Sequence, residues 1–168
     1  MSSMTILAWS DSLTLHQARI DQVHQEFVDL INEWAEVLGS DQDPLPAYSK
    51  MLAHTEAHFA MEEGWMAATG FARDNCHNKQ HAMVLDVMRE VLAHTHATHD
   101  IAPMKALLPE LVNWFPQHAD MMDASLVFHM KQVGFDPDTG KFASAEAEEA
   151  IRKAQATPIS SCGSSTCS

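Results

Sequence analysis

The chain has little of what strand-rich or loop-rich folds need. It holds six Gly and seven Pro in 168 residues, most of them between periodic segments. No long alternating β-branched run appears, so the pattern predicts an all-α chain. Basic residues are also scarce. Ten Lys and Arg against 23 Asp and Glu give a formal net charge of −13, which argues against nucleic acid or an anionic membrane surface as partner, because both need a basic patch. No apolar run approaches the ~18 residues of a membrane span. The stretch MSSMTILAWSDS has no basic segment, and its apolar run is too short for a signal peptide. A cytoplasmic protein is the default expectation. Three cysteines make no disulfide scaffold: Cys76 stands alone, and Cys162 and Cys167 lie in a Ser-rich tail.

What is present is apolar periodicity and histidine. Hydrophobic residues make up 46% of the chain, enough for one globular domain with a core of its own. Residues 1–15 read as an irregular arm anchored by Trp9 and Leu13. Ile20, Val23, Phe27, Ile31, Trp34 and Leu38 recur at three- and four-residue steps and predict a helix over 17–38 with Gly39 as its C-cap. A second helix is expected over 46–68, ended by Gly70. A third runs from near 73, with Asp74 or Asn75 as N-cap, to about 98. The fourth starts near Pro103 and carries Met104, Leu108, Leu111, Phe115, His118, Met122, Ser125 and His129. Pro116 inside it should kink it. Short connections between four helices predict an up-down-up-down antiparallel bundle over 1–134. Residues 135–168 read as an extension: a turn cluster at 135–140, a short helix near 144–156, and a disordered, cysteine-containing tail.

Eleven histidines exceed what a solvated surface requires, and imidazole suits transition metals. His58 and Glu62 are four residues apart, as are His77 and His81. That spacing leaves side chains about 40° apart on a helix, one turn above the other. Each pair can aim two donors at one point, and the turn at Gly70-Phe71 folds the second pair towards the first. His24 on the first helix and His118 with Asp123 on the fourth add further donors. Five imidazoles and two carboxylates suit two metals, because a carboxylate can bridge two cations. Even with both carboxylates bridging and a solvent bridge, two six-coordinate ions keep at least one position open for a small molecule.

The ordered pattern Ile20-Asp-Gln-Val-His24, His58-Phe-x-x-Glu62-Glu63, His77-x-x-x-His81 and Trp114-x-x-x-His118-x-x-x-x-Asp123 resembles the hemerythrin family, specifically its single-domain bacterial members, over residues 5–131. The resemblance implies a non-haem di-iron centre with an oxo or hydroxo bridge that binds dioxygen reversibly as hydroperoxide. One iron would take His77, His81 and His118, the other His24 and His58, with Glu62 and Asp123 bridging. Val23, Phe27, Phe59, Phe115 and Met122 would keep the pocket dry. The chain departs from the family at Ala119, where Ile or Leu commonly follows the fourth-helix His, and near His16, where Gly is frequent. His118 and Asp123 are five apart and diverge by about 140° on a regular helix, so Asp123 must reach across or the helix must widen into a π-bulge.

Other readings attach to the remaining residues. His54 reads as a rim residue beside His58. His94, His96 and His99 suit the negative end of the third helix, and His129 reads as packing at the bundle end. The leading function is an oxygen-binding protein for carriage, storage, delivery or sensing, more a binder than an enzyme. A di-iron enzyme handling peroxide or nitric oxide, and an iron-storage or buffering protein, are the alternatives. The ferritin-like Glu-x-x-His motif does not occur, which weakens the oxidase reading.

Overall fold

Helix α1 (Ala18–Leu38) forms where the sequence repeats its apolar stripe, and Ile20, Val23, Phe27, Ile31, Trp34 and Leu38 are all buried along it. The computed structural model describes residues 5–71 and 75–156. The first turn of α1 is capped by the Gln17 side chain, which accepts from the Ile20 N–H at 2.8 Å. Helix α2 (Leu45–Thr69) begins with Pro46 in its first turn and stops at Gly70, whose φ of 68° is left-handed. Glycine takes that conformation at no steric cost. The Gly70 and Phe71 N–H groups both return to the Met66 carbonyl. Helix α3 (Cys76–Thr98) is capped by Asn75, whose side chain accepts from the Asn78 N–H at 2.9 Å. The alternative cap, Asp74, lies outside the described residues.

The expected fourth helix is unbroken along the chain but not uniform in winding. Helix α4 (Ala102–His118) contains Pro109 and Pro116, a π-helical turn follows over Ala119–Asp123, and α5 (Ala124–Gln132) resumes regular winding. The π turn inserts one extra residue. Of the two outcomes that the five-residue spacing of His118 and Asp123 allows, a reach across or a local widening, the chain takes the widening.

After Gly134 the chain makes a feature the sequence reading treated only as a turn cluster. Strands β1 (Phe135–Asp136) and β2 (Lys141–Phe142) pair antiparallel, with Phe135 opposite Phe142. Two-residue strands carry no readable alternation, so only their turn residues were visible. Helix α6 (Ala145–Ala156) then lies against the end of α2, where the Gln155 side chain donates to the Ala67 carbonyl at 2.9 Å. Cys76, read as solitary, is disulfide-bonded. The readings made for Cys162, Cys167 and the tail fall outside the described residues.

Two apolar clusters sit along the helices. One gathers Phe27, Trp34, Tyr48, Met51, Phe59, Met88, Met104 and Phe115; the other gathers Ile20, Trp65, Met66, Leu126, Met130 and Phe135. Each large side chain buried this way contributes about 1.5–3 kcal/mol. The N-terminal arm joins the first cluster through Leu7 and Leu13, with Trp9 packed beside them. Asn32 holds the arm: its Oδ1 accepts from Ile6 and Leu7, and its Nδ2 donates to the Leu7 carbonyl. His24 on α1, Glu62 on α2, and His118 and Asp123 on the α4–α5 pair fall in sequence between the buried residues of the two clusters. Among the described residues, no helix is long and apolar enough to cross a membrane.

Candidate metal centre

All seven residues singled out as donors come together. His24, His58, Glu62, His77, His81, His118 and Asp123 are each at most 3% exposed. His58 and Glu62 meet as the helical spacing predicts, Nε2 to Oε1 at 2.7 Å. The other Glu62 oxygen lies 3.1 Å from His77 Nε2 and 3.3 Å from His81 Nε2. Asp123 Oδ1 lies 2.9 Å from His77 Nε2 and 3.1 Å from His118 Nε2, while Oδ2 lies 3.0 Å from His24 Nε2. His81 and His118 face each other, Nε2 to Nε2, at 3.1 Å. The inward atom is thus Nε2 for every one of the five imidazoles.

These donors form two groups. Glu62, His77, His81, His118 and Asp123 make one; His24, His58, Glu62 and Asp123 make the other; within each, the donor atoms lie within 4.8 Å of one another. Ions bound at ~2.0–2.2 Å to imidazole and carboxylate place opposite donors roughly 4 Å apart, so each group has the spread of a single coordination shell. Glu62 and Asp123 belong to both groups, one carboxylate from α2 and one from the π turn.

Hydrogen bonding among the side chains does not account for this arrangement. Both Asp123 oxygens and His24 Nε2 are buried without an aligned hydrogen-bond partner, despite their short separations. Burying polar atoms unsatisfied is costly. Cations between the donors would satisfy those oxygens and nitrogens together, and the mixed imidazole and carboxylate set suits a first-row transition metal. The residues present fit such a group.

The electrostatics follow from burial against charge. Burial opposes protonation of His24 and His77, but the Asp123 and Glu62 carboxylates outweigh it and raise both imidazoles to about 9. Burial likewise opposes ionisation of Glu62 and Asp123. The surrounding imidazoles hold Glu62 well below the usual carboxylate range and lower Asp123 as well. His118 is pushed down by burial, with Asp123 acting against it. Two acidic side chains in a low-dielectric interior are therefore held as anions.

Aromatic rings close the surroundings. Phe59 stacks on His81 with centroids 3.8 Å apart and planes within 4°, and Trp114 stacks on His118 at 4.3 Å. Phe115 meets His24 edge-on at 5.1 Å and stacks on Phe27 at 4.4 Å. Val23, Phe27, Phe59 and Phe115 are buried, whereas Met122 is only half-buried. Ala119 is enclosed, at 1% exposure.

The remaining histidines stand apart from the centre. His54 Nε2 pairs with Glu26 at 3.1 Å, one helical turn from His58, and joins neither donor group. His129 Nε2 donates to the Thr69 carbonyl at 2.9 Å and packs on Phe71, at the bundle end. His94 pairs with Asp100 in solvent, and His99 takes a φ of 58° at the end of α3. Two contacts had no counterpart in the sequence reading: Glu63 lies 3.4 Å from His81 Nδ1, and Gln80 Oε1 lies 2.8 Å from His118 Nδ1. Each is adjacent in sequence to a donor, but which neighbouring helix it reaches depends on packing that spacing does not encode.

Comparison with known proteins agrees with this geometry. The Hemerythrin HHE cation binding domain matches residues 16–127. A bacteriohemerythrin of Ralstonia nicotianae is 38% identical over 142 residues, covering 84% of this chain and all of that protein. A bacteriohemerythrin of Pseudomonas aeruginosa is 27% identical over 127 residues, covering 74% of this chain and 81% of its own. No solved structure matches. With a family profile spanning two thirds of the sequence and a relative matched over its whole length, the chain belongs to the hemerythrin family.

Proposed function

We propose that this protein binds dioxygen reversibly at a pair of non-haem irons linked by an oxo or hydroxo bridge. His77, His81 and His118 hold one iron, His24 and His58 hold the other, and Glu62 and Asp123 bridge them. The helices α1, α2, α3 and α4–α5 run up-down-up-down around the pair. The observation that carries the reading is the sharing of Glu62 and Asp123 between two donor groups of unequal size. The His24/His58 group has one imidazole fewer, so that side keeps room for a small exogenous ligand. The irons would supply the electrons that hold dioxygen and recover them on its release.

The chain's own residues favour release over further chemistry. Neutral imidazoles outnumber carboxylates five to two in the donor set, which leaves the metals less electron-rich than a carboxylate-dominated site would. Phe115 and Phe27 wall the His24 side, and Phe59 lies between His58 and His81. A closed apolar wall limits water and therefore proton delivery to a bound ligand. Among the described residues, every carboxylate within the buried cluster is itself a donor, so no separate buried acid stands ready to protonate the ligand.

The test is an iron count with an optical spectrum, recorded on protein reduced without oxygen, then exposed to it, then returned to an inert atmosphere. Two irons per chain and charge-transfer bands that appear with oxygen and vanish on its removal are expected. Two irons that pass directly to a stable oxidised form would instead favour peroxide or nitric oxide chemistry. Absence of iron would overturn the reading.

A further inference from the structure

The five imidazoles are not held alike. Nε2 of each faces inward, so a metal there leaves the proton of the neutral ring on Nδ1, pointing outward. His118 Nδ1 meets Gln80 Oε1 at 2.8 Å, and His81 Nδ1 meets Glu63 Oε1 at 3.4 Å. The Nδ1 atoms of His24, His58 and His77 are buried and have no hydrogen-bond partner among the described residues. The same two rings that find an acceptor also lie against an aromatic plate, Phe59 under His81 and Trp114 under His118. Face and edge of both imidazoles are thereby fixed.

The acceptors are arranged as a sequence of steps from helix to helix. Glu63 follows Glu62 on α2 and reaches His81 on α3; Gln80 precedes His81 on α3 and reaches His118 beyond it on α4. Glu62 and His81 thus each carry beside them the group that steadies the next helix's imidazole. Both steadied rings belong to the five-donor group and neither to the four-donor group. An acceptor on the far nitrogen fixes the tautomer and raises the basicity of the ligating one.

We propose that Glu63 and Gln80 are positioning residues that make the His77/His81/His118 side the tighter, first-filled metal position and leave the His24/His58 side the weaker, adaptable one. This inference rests on the two-metal reading above. A rigid, electron-rich position keeps its ion through ligand exchange, while the exogenous ligand comes and goes at the other.

The experiment is an anaerobic titration of the full-length, metal-free chain with Co(II), followed by visible absorption and by the shifted, exchangeable imidazole N–H resonances of the bound form. Two separated binding steps are expected for the unaltered protein. Gln80→Leu and Glu63→Leu should each weaken the first step 10–100-fold and speed exchange of one N–H resonance, with the second step unchanged. Gln80→Glu and Glu63→Gln, which keep an acceptor, should restore most of the affinity. Both positions are partly solvent-exposed, so the metal-free variants should melt where the parent does. Equal weakening of both steps, or a first step that does not move, overturns the positioning role while the metal pair stands. Failure of the unaltered protein to take up two ions overturns the metal pair and this inference with it.

Discussion

His118 and Asp123 meet Nε2 to Oδ1 at 3.1 Å although five residues separate them. The π turn over Ala119–Asp123 brings this about, carrying Asp123 round to the face that His118 occupies. The same aspartate then presents its second oxygen to His24 on α1, so a single side chain stands between the two donor groups.

Replacing Asp123 by Asn keeps the shape and removes the anion. The expected result is loss of paired loading, with iron falling from two per chain to one or fewer. Without that charge the His24 and His77 imidazoles should also titrate lower, since Asp123 is the leading influence raising both. Iron analysis and ring-proton chemical shifts against pH check the two halves separately. An unchanged count of two would contradict a bridging role.

The metal-free protein should show a stability optimum bounded on both sides. His24 and His77 have folded values near 9, above the ordinary 6.5, so the stability they contribute is full below 6.5 and is lost as pH rises through about 9. Glu62 and Asp123 are lowered, so theirs is present above the ordinary carboxylate range and is lost as pH falls below that range towards their lower folded values. His118, pushed down, runs opposite to the other two histidines: it costs stability below its ordinary 6.5, which adds to the acid-side loss and leaves the alkaline limb unchanged. Melting temperatures taken from about pH 2 to about pH 10 should fall at both ends. Metal binding replaces the protons on His24 and His77, so loading at pH 7.5 should release about two protons per pair of ions from the imidazoles, besides those given up by the water that would form the bridge. Calorimetry in buffers of different ionisation enthalpy reads that number directly.

Ala119→Leu tests how tightly the π turn is packed. The methyl group is already enclosed at 1% exposure, and extra carbons in a closed site cost about 1–3 kcal/mol. For a chain of this size that is a fall in melting temperature of roughly 2–12 °C. Iron stoichiometry should stay at two, because Ala119 offers no donor atom. An unchanged melting temperature would mean that open space adjoins Ala119.

His99→Gly should stabilise the protein. His99 ends α3 with a φ of 58°, and its N–H returns to the Thr95 carbonyl at 2.9 Å. A left-handed residue at that position is where glycine avoids the side-chain penalty. A gain of about 0.5–1 kcal/mol is expected, read as a higher urea midpoint with the slope unchanged. A lower midpoint would show that the exposed imidazole makes a contribution the backbone geometry does not reveal.

The parts of this structure that spacing controls were legible from sequence. His58/Glu62 and His77/His81 had to share a helix face once helices were assigned, and the mismatch between His118 and Asp123 called for either a reach across or a π turn. The parts that depend on registry between helices were not. Nothing about Gln80 distinguishes it from any helical glutamine until α3 and α4 are laid side by side, and the same is true of Glu63. The hairpin at Phe135–Phe142 escaped because its strands are too short to alternate. Cys76 looked solitary because a disulfide leaves no periodic trace in the sequence.

The donors run from His24 to Asp123, about a hundred residues of chain, and come from α1, α2, α3, the end of α4 and the π turn. Ions seated among them would tie these segments at one knot. Closing so long a loop removes entropy chiefly from the unfolded chain, and the gain grows only slowly with its length. An occupied centre would thus act as a removable cross-link. The apo and loaded proteins should share one architecture yet differ in how readily α1 and α5 detach from it, with amide hydrogens near His24 and Asp123 becoming the slowest to exchange once the metals are in place.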